Sequence, residues 1–264
     1  MIGMLRRAGA GGQAIGAALY RDLLDIRLSG PRATTCFVTT ASVAVATTLA
    51  MALHLDDIWW AAISGFMATQ ATTPASLRKG VLRIIGTVAG AGAVVLLSPL
   101  LVDDPLLVTL LMFVTSTFGI LGLLVSSHGY AWMLAAVTVD MVLMTGLSDP
   151  YSVLEVAASR TAEVAVGTGA AMLVSLLAAL DETDPPADSH PGWRHLLDAQ
   201  WPATEHSIRA ALAVVTVPWV WAWLHVPSDA QIAVTITAVM ALPALGTDPR
   251  ADQEMILKRG AHRI

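Results

Sequence analysis

One carboxylate stands alone inside an apolar run: Asp140, in AAVTVDMVLMTGL. An ionisable group near the centre of a spanning helix costs at least ~2.5–3.5 kcal/mol, so it faces the bundle interior and has a function or a buried partner. A carboxyl that takes up and releases a proton there is a proton-coupling candidate. The same burial also suits a structural pair with an arginine or a hydroxyl on a neighbouring helix. Two arginines offer complementary chemistry. Arg83, in KGVLRIIGT, has no acid close to it in the chain, whereas Arg160, in SRTAEVAVG, has Glu155 and Glu163 within one helical turn or so. A guanidinium grips a carboxylate through two parallel hydrogen bonds, which makes both arginines candidates for holding an anionic substrate. Interfacial snorkelling, or a local pair such as Arg160 with Glu163, accounts for the same residues without a ligand. That second reading suits Arg160 better than Arg83.

A further set could line a pathway or pack it. Trp59 and Trp60 open an apolar segment, where tryptophans form the aromatic belt at a membrane surface; they could also stack on an aromatic substrate. Gln70 and Thr87 are polar groups in apolar surroundings, although a threonine hydroxyl can satisfy itself on the preceding helical turn. Gly86 and Gly90, in GTVAGAG, form a small-residue face of the kind that lets helices approach closely in lipid. His54, His128 and His225 have no partner at metal-ligand spacing, so the sequence calls for no metal and no cofactor. No nucleophile elbow, P-loop, dinucleotide fingerprint or HExxH is present, which argues against an enzyme, and no patch suggests nucleic acid.

These residues need a scaffold, and composition names its class. Hydrophobic residues make up 55% of the 264 and charged residues 13%, about half the charge of soluble domains; the mean hydropathy is +0.66. The expectation is an all-α, polytopic helical bundle in a membrane. Eight spans are expected, at about 34–53, 58–76, 81–101, 105–125, 129–147, 158–180, 207–224 and 230–246. Residues 1–31 read as a cytoplasmic amphipathic segment, 32–180 as a six-span unit and 181–205 as an acidic cytoplasmic linker. Residues 206–264 read as the start of a second repeat, truncated where its third span should begin. Single Cys36 excludes a disulfide framework within one chain. No signal peptide is evident. With the N-terminus in the cytoplasm, every basic residue except Arg160 falls on the cytoplasmic side.

Two internal echoes support repetition. His54–Ser64 and Lys79–Ile84 line up with His225–Thr235 and Arg259–Ile264. Within the six-span unit, Arg83 with Gly86-Thr87 and Arg160 with Gly167-Thr168 enter from opposite faces. An inverted repeat of three plus three spans gives that arrangement.

Trp59-Trp60 with Ser64, Thr72-Thr73-Pro74, Gly80-x-x-Arg83-Ile-x-Gly86-Thr87-x-x-Gly90-Ala91, and His128-Gly-Tyr130-Ala-Trp132 together resemble the fusaric acid resistance (FUSC) family. Arg160 with Gly167 adds to that pattern. The family includes the aromatic carboxylic acid exporters, and plant aluminium-activated malate channels look distantly similar. The resemblance covers roughly 35–180 well and 205–264 weakly. It implies a multi-pass protein of the bacterial inner membrane that exports aromatic or other organic acids, driven by the proton gradient, and confers resistance to toxic acids. Its partners would be a small organic acid, membrane lipid and sometimes a periplasmic adaptor, with a homo-oligomer as a further candidate. Many members carry a large cytoplasmic domain where this chain has only the acidic linker. A passive organic-anion channel is the alternative, needing the arginines but no titrating Asp140. A non-transporting membrane protein or fragment is a third reading.

Overall fold

The computed structural model describes residues 30–101, 104–148, 150–178, 193 and 201–224. The chain divides into two compact units, Met1–Thr34 with Pro243–Ile264, and Thr35–Leu242. Of the first, only the lead into the first helix is described. The described residues form α1 (Pro31–Ala52), α2 (Ile58–Ala68), α3 (Thr73–Leu101), α4 (Pro105–Val125), α5 (Gly129–Ser148), α6 (Val153–Leu177) and α7 (Trp201–Leu224), with a 3₁₀ turn at Pro150–Ser152. No strand occurs among them. Among the described residues, five segments are long and apolar enough to cross a membrane: Ala33–Ala52, Thr73–Pro99, Pro105–Val125, Gly129–Gly146 and Val153–Leu177. Large apolar side chains such as Phe37, Leu96, Leu110, Phe118 and Leu173 point outward, a surface that suits lipid and not water. The protein is an all-α, multi-pass membrane bundle.

Local chemistry explains the helix ends. Asp104 caps α4, its carboxylate accepting from the Leu106 and Leu107 N–H groups at 2.9 and 3.3 Å, with Pro105 in the first turn. Beyond α1, His54 takes a φ of 54°. The His54 and Leu55 N–H groups then donate to the carbonyls of Met51 and Ala50, closing the helix with a left-handed residue. Threonine-rich α1 tolerates lipid because Thr39, Thr40, Ser42, Thr47 and Thr48 each donate to the carbonyl four residues back.

The expected span 58–76 is broken. Helix α2 stops at Ala68, and Thr69 is extended, with φ −67° and ψ 130°. Ser76 holds the break: its hydroxyl accepts from the Gln70 N–H at 2.8 Å and donates to the Thr72 carbonyl at 3.0 Å. Pro74 has no N–H to give to a continuing helix but suits a first turn, so the chain restarts there. The expected connection at 77–80, with a span from 81, is therefore corrected. Arg78, Lys79 and Arg83 all lie within α3, and ten residues from Thr73 place Arg83 about 15 Å along the axis. Expected spans 105–125 and 129–147 coincide closely with α4 and α5, while α6 begins earlier than 158. The segment expected over 207–224 is helical in α7, which starts at Trp201, but it is not among the five spanning segments. The expected span 230–246, the N-terminal amphipathic segment and most of the linker lie outside the described residues.

Helix α5 is central, packed chiefly on α3 and α4, while α6 packs on α3 and α2. Glycine sets these contacts. A methyl added at Gly86 or Gly90 would run into the carbonyls of Ala131 and Ala135 on α5, and one at Gly167 into the carbonyl of Ala61 on α2. The pairings give directions: α3 runs parallel to α5, and α2 parallel to α6. Thr73 donates to the Ser175 carbonyl and Gly80, seven residues on, faces Met172 and Thr168, so α3 and α6 are antiparallel.

Candidate functional site

Two polar centres lie inside the bundle. The first is built where α4 crosses α5. Asp140 is fully buried. Its Oδ1 lies 2.9 Å from the Thr115 hydroxyl and its Oδ2 2.6 Å from that of Ser116. Gly119 and Gly122 let α4 approach α5 closely enough for this, since side chains there would meet Ala136 and Trp132. Thr115 has one proton but several acceptors in reach, its Oγ1 lying 2.9 Å from the Leu111 carbonyl and 3.2 Å from that of Met112. With Asp140 ionised, Thr115 turns its proton to Oδ1. With Asp140 protonated, Oδ1–H donates to Thr115, which donates to Leu111. A hydroxyl rotation therefore satisfies either state without moving a heavy atom, and no cation pairs with Asp140 among the described residues.

The second centre lies where α2, α3, α5 and α6 meet. Arg83 is 5% exposed. One terminal nitrogen donates to the Tyr130 hydroxyl at 2.7 Å and the other to Ser64 at 3.2 Å. Its Nε is buried with no hydrogen-bond partner among the described residues, as is the Thr87 hydroxyl one turn further along α3. No carboxylate among the described residues pairs with Arg83. A buried cation held only by neutral groups is costly, and an anion would complete it.

Arg160 is placed differently. It pairs with Glu163 at 3.1 Å, and its guanidinium lies 3.8 Å above the Trp60 ring. Glu163 also accepts from the Asp57 N–H at 3.0 Å and from Ser159 at 3.1 Å, which ties α6 to the α1–α2 turn. Trp60 is buried, its ring centroid 4.0 Å from that of Trp59. Along α2, Ser64 follows Trp60 by one turn, so α2 links the two arginines over about 6 Å of rise.

The structure brings together Arg83, Arg160, Glu163, Trp60 and, beside Arg83, Thr87. It keeps Asp140 apart, ten residues along α5 from Tyr130. Gln70 lies in the α2–α3 break, its amide donating to the Met67 and Thr69 carbonyls. Gly86 and Gly90 are packing positions. Four partners were not anticipated as site residues: Ser64, Tyr130, Thr115 and Ser116. The run Thr115-Ser116-Thr117 inside an apolar helix was a usable signal for the last two.

Comparison with known proteins matches this architecture to a family. The p-hydroxybenzoic acid efflux pump subunit AaeB of Salmonella arizonae is 33% identical over 101 residues, 38% of this chain and 15% of that subunit. The same subunit of Salmonella newport and of Salmonella dublin matches equally. The alignment thus spans only a small part of these relatives. No solved structure matches the chain significantly. Residues 32–192, more than half of the chain and all of α2 to α6, match the fusaric acid resistance protein family, and the chain belongs to that family.

Proposed function

We propose that this protein exports organic, chiefly aromatic, carboxylic acids across the bacterial inner membrane, driven by the proton gradient and conferring resistance to such acids. The observation that carries the reading is Arg83: buried, without a carboxylate partner among the described residues, and one α2 turn from the Trp60 ring. A carboxylate supplies the missing charge and acceptors. Asp140 is the proton site in this reading, because both of its protonation states are satisfied in place. The broken α2–α3 connection is the kind of discontinuity that transporters use near a substrate site. The relatives' name supplies a first substrate to try, p-hydroxybenzoate.

The test is exchange of labelled p-hydroxybenzoate in proteoliposomes holding the full chain, beside protein-free liposomes. Protein-dependent exchange that Arg83→Gln abolishes is the expected result. Exchange that survives Arg83→Gln removes the arginine from the mechanism. Net flux indifferent to an imposed proton gradient identifies a passive channel.

The proposed topology puts the N-terminus in the cytoplasm, with a periplasmic adaptor as a further partner. Asp56→Cys in a Cys36→Ala background tests the orientation. Its thiol should react with an impermeant reagent only from the periplasmic side, and labelling from the cytoplasm reverses the topology.

A further inference from the structure

We infer that Glu163 sets the charge of the accepted substrate: by neutralising Arg160 while Arg83 stays unpaired, it fits the site to a monocarboxylate and against a dicarboxylate. This rests on the reading of Arg83 as the anion contact. The two arginines occupy matching places. Gly90 follows Arg83 by seven residues and abuts Ala135 of the parallel helix α5; Gly167 follows Arg160 by seven and abuts Ala61 of the parallel helix α2. The half-units therefore present each guanidinium at the same depth along its own glycine contact, from opposite ends of the bundle.

Their partners break the equivalence. Arg83 is held by two neutral hydroxyls, and Arg160 by a carboxylate. Glu163 cannot readily swing away. It is 1% exposed, with Oε1 accepting from Asp57 and Ser159 and Oε2 from Arg160. Other charges lie at the edges: Lys79 is partly exposed, 5.2 Å from the Tyr130 ring centroid, and Asp56 and Asp57 are exposed. The charged groups Arg83, Arg160 and Glu163 beside α2 thus sum to one positive charge, which a single carboxylate balances. A second carboxylate would stay uncompensated out of water.

The test is equilibrium binding of radiolabelled benzoate to the purified full chain, with unlabelled benzoate or terephthalate as competitor. Wild type should prefer benzoate. Glu163→Gln keeps an acceptor for Asp57 and Ser159 but removes the charge, and should move the affinity ratio about tenfold toward terephthalate, as one added positive charge within roughly 10 Å implies at an effective dielectric near 20. Arg160→Gln should move it the other way, and Arg160→Gln with Glu163→Gln should return it to the wild-type value. An unchanged ratio in Glu163→Gln overturns the inference. If that variant cannot be purified, an unchanged ratio in Arg160→Gln does so. Benzoate binding that survives Arg83→Gln overturns instead the anion-contact reading on which it rests.

Discussion

Replacing Asp140 with asparagine removes a proton-binding group and little else. Asparagine reproduces the protonated carboxyl: its oxygen accepts from Ser116, its amide donates to Thr115, and Thr115 donates to the Leu111 carbonyl. Every existing hydrogen bond survives and one buried amide N–H is added, so the stability loss should stay within ~1–3 kcal/mol. Transport should change completely. Exchange of one proton for one carboxylate, with the membrane potential clamped to zero, lets a gradient of one pH unit (about 1.4 kcal/mol) drive accumulation of about tenfold into an acidic lumen. Passive permeation of the protonated acid does the opposite and lowers the anion in the same lumen to about one tenth. The two routes differ by about a hundredfold, and the direction of movement separates them. Wild-type proteoliposomes should accumulate p-hydroxybenzoate in an acidic lumen. Asp140→Asn should lose that uptake while keeping gradient-free exchange, because its Arg83 centre is intact. Accumulation by Asp140→Asn equal to wild type would refute the proton-site argument.

Arg83→Met should abolish exchange yet leave the protein as stable, or more stable by roughly 1–3 kcal/mol, because it removes a buried charge that lacks a counter-charge; a lowered melting temperature in detergent contradicts that account. Gly90→Ala and Gly167→Ala should each destabilise by roughly 1–3 kcal/mol, since the new methyl meets backbone that cannot rotate away. Gly92→Ala, which faces open space, should be neutral or add up to ~1 kcal/mol from helix propensity. Equal melting temperatures for the three would show that the close α3–α5 and α2–α6 contacts are absent. His54→Gly should stabilise by about 1 kcal/mol by relieving the left-handed backbone, and a loss of thermal stability would count against that turn.

Spanning helices were legible because lipid demands long apolar runs, and α4 and α5 fall almost where hydropathy places them. The α2–α3 break was not. Residues 69–72, Thr-Gln-Ala-Thr, are polar but too few to stand out in a window of about 19 residues, and what ends the helix is local: Pro74, and a serine six residues beyond Gln70 that takes its N–H. Losing that break placed Arg83 at the start of a span from 81, where the structure has it about three turns into α3. Asp140 was legible by type alone, as a carboxylate amid aliphatics. Its partners on α4 depend on helix register across a contact, which one chain's hydropathy does not encode. Trp60 illustrates the same limit: a tryptophan at the start of an apolar segment suits a belt, and its contact with Arg160 depends on how α6 packs.

Repetition and function pull in opposite directions in this bundle. An inverted repeat, as expected from the sequence, would place like residues at like depths, and the seven-residue spacing from arginine to contact glycine is the same on α3 and α6. A strictly symmetric site would bury two bare cations or two ion pairs. The first burdens stability with two uncompensated charges, and the second leaves nothing for an anion to complete. One paired arginine beside one unpaired arginine avoids both. Arg160 is held through Glu163 and Trp60 as part of the frame, and Arg83 is presented by Ser64 and Tyr130 with its charge unspent. The asymmetry lies in the partner residues and not in the arginines, so under the proposal substitution at 163 would change the substrate charge while the backbone that presents both guanidinium groups stays as it is.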